Sequence, residues 1–510
     1  MVVYNFNQGI GWASSGVEYA QSYRGKIFRK LGVDARFIFT DMIRGDNIQE
    51  LTQNLHFEDR EVIWMYQFFT DFPIAPCSLT EEQVTASFPE GPWKINDIGG
   101  GRKQYVHEEQ KLFITVYFSK MYPDKVSRVE YVAGGCLLRT DHYTTGLLFS
   151  EFFAPKDGEG KPYERRFYNQ NGTIAFEEFI SHEGDDYEKN RNLLYRFPKR
   201  TFYSKEEFVE FFVCCLQIRP DDLIIADRTT LVGQAIFKYH GRTKMGVVVH
   251  ADHFSEPMTD EDNILWNNYY EYPFNHTADI SFFITSTKRQ KEVMEEQFQK
   301  YYHIKPRIAA IPVGSLDELK RPEKPRRAYS VLTVSRLAGE KHVDWLCRAV
   351  ILAKKDVPKL QFDIYGRGVE EENLRKIIQE HHAEEYIHLM GHRDMADIYQ
   401  NYCAYIAAST SEGFGLSLME AVGSGLPMVG FDVPYGNQTF IRPNENGYLL
   451  DFEAGENLDS KELVEELRDA IVKLFTEADL PSFSEVSYQV AEEYLTANVE
   501  AKMKRLLEEL

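Results

Sequence analysis

Short apolar runs alternate with amphipathic stretches throughout the second half of the chain. From Ala328 onward the runs are rich in β-branched and aromatic residues, and the stretches between them carry apolar residues at helical spacing. The predicted strands are 329–335, 360–366, 386–391, 404–410, 427–433 and 447–452, and the predicted helices include 342–355 and 370–382. Buried strands separated by helices are typical of a parallel sheet covered on both faces. The second half therefore predicts one doubly wound α/β domain.

The first half shows the same alternation, but a different pattern interrupts it. Predicted strands 2–7, 35–40 and 61–69 begin the alternation, and 222–228, 245–254 and 280–287 resume it. Between about 76 and 200 the chain changes to many short aromatic strands and turns, among them the hairpin signal Asn-Gln-Asn-Gly at 169–172. A segment of this length is too long for a simple loop. We therefore expect a β-meander inserted into a first Rossmann-like domain.

These patterns predict an α/β protein of four segments. We expect an N-terminal Rossmann-like domain from 1–75 and 201–312, an inserted β-rich meander at 76–200, a C-terminal Rossmann-like domain at 313–480 and a C-terminal helix at 481–510. The stretch Lys-Arg-Pro-Glu-Lys-Pro-Arg-Arg at 320–327 is basic and broken by prolines, which predicts a solvated linker between domains.

Composition and charge narrow the class of protein. A length of 510 residues favours two or three domains, and the net charge of −21 argues against nucleic acid as a partner. No apolar run approaches the ~18 residues that cross a membrane, and the N-terminal segment lacks the basic residues of a signal peptide. The six cysteines show no metal-binding spacing, which predicts reduced thiols. We expect a cytoplasmic protein, with at most a peripheral association with the cytoplasmic face of the membrane.

The strongest chemical signal is Ser-Glu-Gly-Phe-Gly-Leu-Ser-Leu-Met-Glu-Ala-Val-Gly-Ser-Gly-Leu-Pro at 411–427, between a predicted strand and a helix. Gly413 and Gly415 allow the backbone to approach a ligand, and the helix start offers unpaired N–H groups. Glu412 and Glu420 are placed to bind separate hydroxyl groups of one elongated ligand. A glycine-rich turn with an ordinary surface glutamate is the structural alternative.

A second signal is Ser-Arg-Leu-Ala-Gly-Glu-Lys-His at 335–342, which again joins a strand to a helix. Arg336 and Lys341 stand at the carboxyl edge of the predicted sheet, where α/β folds bind ligands. Two cations there suit a diphosphate, because arginine binds phosphate oxygens as a fork and lysine as a point charge. The alternative is a pair of solvated basic residues on a loop.

The glycine-rich segment 9–24 follows the first strand. Ser15 and Glu18 have the Ser-x-x-Glu spacing of a capping box, and the glycine spacing differs from the dinucleotide fingerprint Gly-x-Gly-x-x-Gly, which disfavours a Rossmann dehydrogenase. His250 and His253 follow a buried strand, so at least one is expected at the sheet edge; a packed edge histidine is the alternative. Asp260-Glu261-Asp262 matches a metal-binding Asp-x-Asp, but its polar context predicts a solvated loop.

The motifs at 411–427, Ser-Arg-Leu-x₃-Lys and Gly-Val-Glu together resemble the retaining GT4 glycosyltransferases, which have the GT-B fold. Longer stretches, at 4–24, 247–256, 264–272 and 409–441, resemble the GtfA-type accessory-Sec glycosyltransferases. The resemblance covers nearly the whole chain and includes the β-rich insertion. It implies two Rossmann-like domains facing across a cleft, the first on the acceptor side and the second binding a UDP-sugar.

The resemblance also implies an activity and partners. Enzymes of this family transfer N-acetylglucosamine from UDP-GlcNAc to serine and threonine of serine-rich repeat adhesins before export. They work with a homologous, non-catalytic GtfB subunit, contacted through the β-meander. Three alternatives stay open: UDP-glucose as donor, a GtfB-like subunit that binds the acceptor without chemistry, and a GT4 enzyme of the bacterial envelope. The acidity of the chain disfavours the last, because envelope enzymes usually carry a basic membrane-docking patch.

The residue roles that the resemblance implies fall into two groups. Four residues are expected to act in catalysis: Arg336, Lys341, Glu412 and His250. The residues expected to bind the donor are Gly16, Val17, Glu18 and Tyr19 near UDP, His392 and Arg393 at the nucleotide, Glu412, Gly413, Phe414 and Gly415 at the sugar, and Glu420 at the ribose. Neither a metal nor a cofactor is expected, because the two cations and a helix N-terminus can neutralise the phosphates.

Overall fold

The computed structural model describes residues 1–12, 15–156, 159–182, 191–453 and 460–510. Parts of the predicted segments lie outside the described residues: 13–14 of the glycine-rich motif, 157–158 and 183–190 of the meander, and 454–459 of the C-terminal domain. The chain divides into two compact units, Met1–Gly246 (unit 1) and Val247–Leu510 (unit 2). None of the helices in the described ranges has both the length and the apolar character needed to cross a bilayer.

Unit 1 combines a parallel sheet with a long antiparallel one. Its strands are β1 (Val2–Asn7), β2 (Asp34–Phe39), β3 (Val62–Trp64), β4 (Lys94–Asp97), β5 (Arg102–His107), β6 (Leu112–Phe118), β7 (Val126–Ala133), β8 (Cys136–Tyr143), β9 (Leu147–Lys156), β10 (Glu159–Tyr168), β11 (Ile174–His182), β12 (Arg191–Phe197), β13 (Arg200–Phe202) and β14 (Leu223–Ala226). Its helices are α1 (Gly16–Lys30), α2 (Ile48–Asn54), α3 (Glu81–Thr85), α4 (Lys205–Cys215) and α5 (Gly233–Tyr239).

The parallel strands of unit 1 run in the order β3-β2-β1-β14. All four residues of β14 are buried, as expected for a strand covered on both faces. The insertion is a ten-stranded antiparallel sheet in which each strand from β4 to β13 pairs with its neighbours in sequence. The predicted hairpin at 169–172 is confirmed, because Gly172 has φ +80° and its N–H donates to the Asn169 carbonyl at 2.8 Å.

Unit 2 begins within β15 (Lys244–Val249). Its other strands are β16 (Phe282–Thr285), β17 (Ile308–Ala310), β18 (Ser330–Val334), β19 (Gln361–Tyr365), β20 (Ile387–Gly391), β21 (Ala404–Ile406), β22 (Met428–Phe431) and β23 (Gly447–Leu450). Its helices are α6 (Glu271–Asn275), α7 (Lys288–Gln297), α8 (Val343–Ala353), α9 (Glu371–Glu380), α10 (Leu416–Gly423), α11 (Gly436–Phe440), α12 (Ser460–Thr476), α13 (Leu480–Glu492) and α14 (Thr496–Glu508).

The six-stranded sheet of unit 2 has the order β20-β19-β18-β21-β22-β23 and is parallel throughout. Two apolar clusters form with its residues; Leu346 belongs to one and Met419 to the other, and both side chains are fully buried. This is the doubly wound domain that the hydrophobic pattern predicts. Because all strands run the same way, the loops after β18, β19, β20 and β21 lie at one edge of the sheet.

Two local predictions are wrong. The strand expected at 61–69 ends at Trp64, and a 3₁₀ turn follows at Gln67–Phe69, where Phe69 stacks on Phe211 of α4. The single C-terminal helix is two helices, because the Leu316 backbone bonds to Tyr494 and Thr496 and interrupts the helix between them.

The 320–327 stretch forms neither helix nor strand and is mostly exposed, as predicted. Its Arg326 is nevertheless half-buried and donates to the carbonyls of Tyr402 and Ser424.

Candidate functional site

The loop after β18 carries Arg336 and is held by the glycines that follow β19. A Cβ atom on Gly366 would lie 1.9 Å from the Ser335 carbonyl oxygen, and one on Gly368 would lie 2.1 Å from that of Leu337. Only glycine fits such an approach of two backbones. The loop is further fixed by the Leu337 N–H, which donates to the Arg367 carbonyl at 3.0 Å. Arg336 itself is 70 % exposed and pairs with Glu340 at 2.7 Å.

Lys341 and Glu412, predicted to act at one site, are in direct contact. The Lys341 Nζ lies 2.7 Å from Glu412 Oε2, and both side chains are less than one-fifth exposed. The two loops also meet through the backbone, since the Thr410 N–H donates to the Glu340 carbonyl at 3.3 Å. The sheet thus brings the two predicted cationic residues and Glu412 to the same edge.

The Glu412 loop is clamped from two sides within unit 2. On one side, a Cβ on Gly413 would lie 2.4 Å from the His250 carbonyl oxygen. On the other side, the N–H groups of Tyr435 and Gly436 both donate to the Glu412 carbonyl, at 2.8 and 2.7 Å. The position of this loop is therefore set by backbone contacts that leave no room for side chains.

Helix α10 starts directly after this loop without a side-chain cap. Its N-cap residue, Gly415, has φ +83°, and among the described residues no side chain forms a capping hydrogen bond at this end. The first N–H groups of a helix have no partner within the helix, and the macrodipole makes this end positive. The start of α10 can therefore bind an anion next to Lys341.

Glu420 lies about one turn into α10. Tyr399 donates a hydrogen bond to its carboxylate at 2.8 Å. Burial raises the pKa of Glu420, the Tyr399 hydroxyl opposes that shift, and the charge of Asp394 adds to it. The side chain is half-buried and keeps acceptor capacity for a hydroxyl-bearing ligand.

The two predicted histidines differ in their surroundings. His253 is fully buried and forms hydrogen bonds with the Tyr435 hydroxyl at 3.0 Å and with the Gln297 side chain at 2.7 Å. Burial lowers its pKa to about 4. For His253 the alternative interpretation given above therefore holds: it is a packed histidine. His250 is half-buried at the end of β15, and its backbone N–H is held by the Tyr270 hydroxyl at 3.0 Å.

Sequence reasoning missed Asp252 and Ser411, which join the loop after β15 to the Glu412 loop. Ser411 Oγ donates to Asp252 Oδ2 at 2.6 Å. Burial raises the pKa of Asp252, and the nearby Glu412 charge raises it further, although the Ser411 bond opposes both. The two residues are 159 positions apart, so no spacing rule finds them.

Of the remaining predicted donor residues of unit 2, His392 and Arg393 are exposed, whereas Phe414 is buried. His392 and Arg393 follow β20, and the Arg393 Nε donates to the Met390 carbonyl. Arg367, also exposed, lies between the Arg336 loop and this one, since a Cβ on Gly391 would be 4.0 Å from its Nε. The sequence signal that could have found Arg367 is Gly-Arg-Gly directly after a strand.

The glycine-rich segment of unit 1 is stabilised by its own side chains. Ser15 and Glu18 form the predicted capping box, with Ser15 N–H donating to Glu18 Oε2 at 2.6 Å. Glu18 is 5 % exposed and also accepts from Asn7, so its carboxylate is committed to the fold. Gly16 and Tyr19 are exposed on the first turn of α1, and Val17 is half-buried there.

The Asp-x-Asp motif has a structural explanation. Asp260 accepts from the N–H groups of Asp262 and Asn263 and so closes its own exposed turn. In the described part of the chain, no group of three or more His, Cys, Asp or Glu side chains is placed to hold a metal ion.

The fold and the site place this chain in the class of GT-B glycosyltransferases. A family model for glycosyl transferases group 1 matches residues 328–476, which contain the Arg336, Lys341 and Glu412 loops. A model of the GtfA extended beta-sheet domain matches residues 97–206, within the antiparallel insertion.

The relatives identify the family. The chain is 49 % identical, over all of its length and 99 % of the relative's, to the UDP-N-acetylglucosamine–peptide N-acetylglucosaminyltransferase GtfA subunit of Streptococcus gordonii. It matches the crystal structure of pneumococcal O-GlcNAc transferase GtfA in complex with UDP and GlcNAc at 46 % identity and a TM-score of 0.93, covering 100 % and 99 % of the two chains. A chain in the GtfA/B complex structure matches at 48 % identity and 0.88, with the same coverage. The chain belongs to the GtfA subunit family.

Proposed function

We propose that this protein is a retaining glycosyltransferase that moves N-acetylglucosamine from UDP-GlcNAc to serine and threonine hydroxyls of a serine-rich repeat adhesin. Full-length identity to GtfA subunits supports the substrate pair. One structural observation carries the proposal: Lys341 contacts Glu412 at the start of a helix without a side-chain cap. That arrangement supplies positive charge for a departing diphosphate beside a carboxylate for sugar hydroxyls.

The proposed chemistry is transfer on the front face of the sugar. The bond from the anomeric carbon to the UDP oxygen breaks, and the acceptor hydroxyl forms its bond on the same face. Arg336, Lys341 and the N–H groups at the start of α10 stabilise the charge that develops on the diphosphate, which takes the acceptor proton. No metal is needed for this role. Glu412 to Gly415 and His250 hold the sugar, Glu420 the ribose, and Gly16 to Tyr19, His392 and Arg393 the nucleotide.

We propose that the protein acts as the catalytic member of a pair with a homologous GtfB-like subunit. The GtfA/B complex among its structural matches supports this partner. The inserted sheet, which the family model singles out, is the proposed contact surface. Modification before export places the enzyme in the cytoplasm, at most peripherally attached to the membrane.

Family membership favours the catalytic subunit over the GtfB-like alternative, since the compared relatives are named GtfA subunits. The donor sugar is the finer question, because glucose differs from N-acetylglucosamine only at one substituent. We test both points by incubating the protein, with and without its partner subunit, with a Ser/Thr-rich acceptor and either UDP-GlcNAc or UDP-glucose.

The acceptor mass gives the answer. An increment of one N-acetylhexosamine per site supports the proposal, and an increment of one hexose replaces the donor with UDP-glucose. A mixture that releases UDP without any gain in acceptor mass contradicts a protein acceptor. If neither donor releases UDP, the proposal that this protein is an enzyme is wrong.

A further inference from the structure

Tyr435 lies between β22 and α11, and its backbone supports the Glu412 loop. The N–H groups of Tyr435 and Gly436 donate to the Glu412 carbonyl at 2.8 and 2.7 Å, and Glu412 and Tyr435 form an isolated parallel bridge. The Tyr435 side chain is 1 % exposed and is among the largest fully buried side chains of the described residues. Whatever fixes this side chain therefore also fixes the backbone that carries the Glu412 carboxylate.

The Tyr435 side chain is held by a line of two hydrogen bonds. Its hydroxyl lies 3.0 Å from Nδ1 of His253, and Nε2 of the same imidazole lies 2.7 Å from Gln297 Oε1. The two rings lie within 23° of parallel, with their centroids 5.8 Å apart. His253 comes from the loop after β15 and Gln297 is the last residue of α7, so three separate elements meet in this line.

The protonation states give the line one direction. Burial lowers the pKa of His253 to about 4, so near pH 7 one ring nitrogen donates and the other accepts. The Gln297 oxygen can only accept, which places the proton on Nε2 and leaves Nδ1 to accept from Tyr435. Burial raises the pKa of the Tyr435 hydroxyl far above its ordinary value, so the hydroxyl keeps the proton that it donates. Turning the hydroxyl away would leave a buried acceptor without a partner, which is costly.

This line adds a contact that the other clamps of the loop do not make. The loop after β15 also meets the Glu412 loop at Ser411 and at Gly413, the two neighbours of Glu412. The Tyr435 backbone bonds residue 412 itself, whose carboxylate lies 2.7 Å from Lys341. A shift of Tyr435 would therefore move this carboxylate relative to Lys341.

We propose that Tyr435 and His253 are positioning residues for the transfer reaction. The hydrogen bond between them fixes the Glu412 carbonyl and so places the Glu412 carboxylate for the sugar and for Lys341. The inference rests on the proposed function, which gives Glu412 its role. Neither Tyr435 nor His253 touches the reacting atoms in this arrangement.

The first test removes the Tyr435 hydroxyl and keeps the ring. Turnover of Tyr435→Phe, measured as UDP release with the partner subunit and a Ser/Thr-rich peptide, should fall about 10–10²-fold because Glu412 is misplaced. The matched control is Tyr488→Phe, since the Tyr488 hydroxyl is also buried but bonds the Lys320 and Ser424 carbonyls. The control should retain wild-type turnover. Wild-type turnover in Tyr435→Phe, or the same loss in both variants, overturns the proposal.

A double-mutant cycle separates positioning from a general loss of stability. In a Glu412→Ala background the side chain to be positioned is absent, so adding Tyr435→Phe should leave the residual turnover almost unchanged. Urea unfolding should show the lost hydroxyl in both backgrounds, because the stability of the fold does not depend on catalysis. An equal fold-loss of turnover in the two backgrounds contradicts action through Glu412.

A pair of substitutions at His253 tests the hydrogen bond itself. His253→Leu removes the acceptor of the Tyr435 hydroxyl and should lower turnover as Tyr435→Phe does. His253→Gln offers a side-chain oxygen to that hydroxyl and should restore most of the turnover. Turnover that is no higher in His253→Gln than in His253→Leu contradicts the hydrogen bond as the cause.

Hydrogen exchange tests the same contact without catalysis. In Tyr435→Phe the amides of residues 435 and 436 should exchange about tenfold faster, while the amides of α8 keep their rates. Unchanged exchange at both residues overturns the proposal. Sugar transfer by the wild-type protein is recorded in parallel. Normal transfer with unchanged exchange means that the positioning role alone fails, whereas faster exchange without any wild-type transfer refutes the proposed function and leaves the structural link between Tyr435 and Glu412 in place.

Discussion

Two loops in this protein each join a strand of a parallel sheet to a helix, and they are stabilised in opposite ways. In unit 1 the loop after β1 ends in a capping box, so side chains satisfy the start of α1. In unit 2 the Glu412 loop ends at a helix without a side-chain cap and is fixed by backbone contacts at its glycines. The first loop completes its own hydrogen bonding, whereas the second leaves donors for a ligand.

The glycines follow the same division. Gly413 and Gly415 have no room for a Cβ, since the nearest atoms would lie 2.4 and 2.5 Å away. Gly11 and Gly16 have no atom within 4 Å of a built Cβ. Packing thus requires glycine at positions 413 and 415, while at positions 11 and 16 the fold tolerates a side chain. A requirement for glycine at positions 11 and 16 would have to come from a bound ligand.

The largest effect is expected at Gly413. In Gly413→Ala the new methyl group meets the His250 carbonyl, and backbone atoms cannot yield as a flexible side chain can. The loop must shift, which misplaces Glu412 and separates it from Lys341. We expect turnover to fall about 10³-fold or more, measured as UDP release with peptide acceptor. Normal turnover would show that the loop is not held by this contact.

The next effect tests the charge at the uncapped helix. Arg336→Ala and Lys341→Ala should each lower turnover about 10²–10³-fold, because each removes a preorganised positive charge from the leaving diphosphate. Arg375→Ala is the matched control, since Arg375 is also exposed and also pairs with a glutamate four residues away in the sequence. A similar loss in the control, or none in Arg336→Ala, would refute the assignment.

Acid should weaken unit 2 through His253. Its pKa is about 4, below the ordinary 6.5, so the folded state disfavours the protonated form. The contribution to stability is complete above pH 6.5 and is lost as pH falls toward 4, amounting to about 3 kcal/mol at that limit. His253→Gln keeps a polar partner for Tyr435 and Gln297 and removes the titration. Urea unfolding between pH 4 and 7 should show a shallower pH dependence for the variant; equal slopes would contradict the role of this histidine.

A smaller effect is expected at the capping box of unit 1. Ser15→Ala removes the side-chain acceptor at the start of α1, which costs about 1 kcal/mol. Hydrogen exchange of the first-turn amides should accelerate about fivefold, while amides of α10 remain unchanged. Unchanged exchange in α1 would mean that Glu18 alone holds this end.

The smallest effect sharpens the contrast between the glycines. Gly16→Ala fills open space and restricts the unfolded chain, so it should stabilise the protein by about 0.5–1 kcal/mol. A KM for the UDP-sugar that rises despite this gain would support close approach of the donor to Gly16. A lower melting temperature would contradict the conclusion that a Cβ at position 16 meets no other atom.

The sequence predicted the strands and the helix cap well because these features depend on residues that are close together in the sequence. The strands of unit 2 and the Ser15–Glu18 capping box follow from buried runs and an i, i+3 pair. The order of strands does not, since the hydrophobic pattern carries no information about which strands are adjacent. The strand predicted at 61–69 failed because the aromatic side chains after Trp64 pack on a helix rather than continue the sheet.

The site could be predicted only where its residues share a motif. Lys341 and Glu412 come from two glycine-containing loops after strands, and both loops reach the same sheet edge. Asp252 and Ser411 are brought together by tertiary structure alone. His250 and His253 look alike in sequence, yet packing buries one of them completely. The segment limits and the roles of the donor residues stay predictions.

In the inserted sheet each strand pairs only with the strands next to it in sequence, and this affects how the chain folds. Each strand from β4 to β13 finds its partner as soon as the next strand is synthesised, so the insertion can form on the ribosome. The parallel sheet must wait, because β14 pairs with β1 across more than 200 residues. A meander that is already folded shortens the loop that must close between β1 and β14. Phe69 stacks on Phe211 and so holds the two ends of the meander together. Slow or faulty meander formation would therefore delay the first parallel sheet during translation.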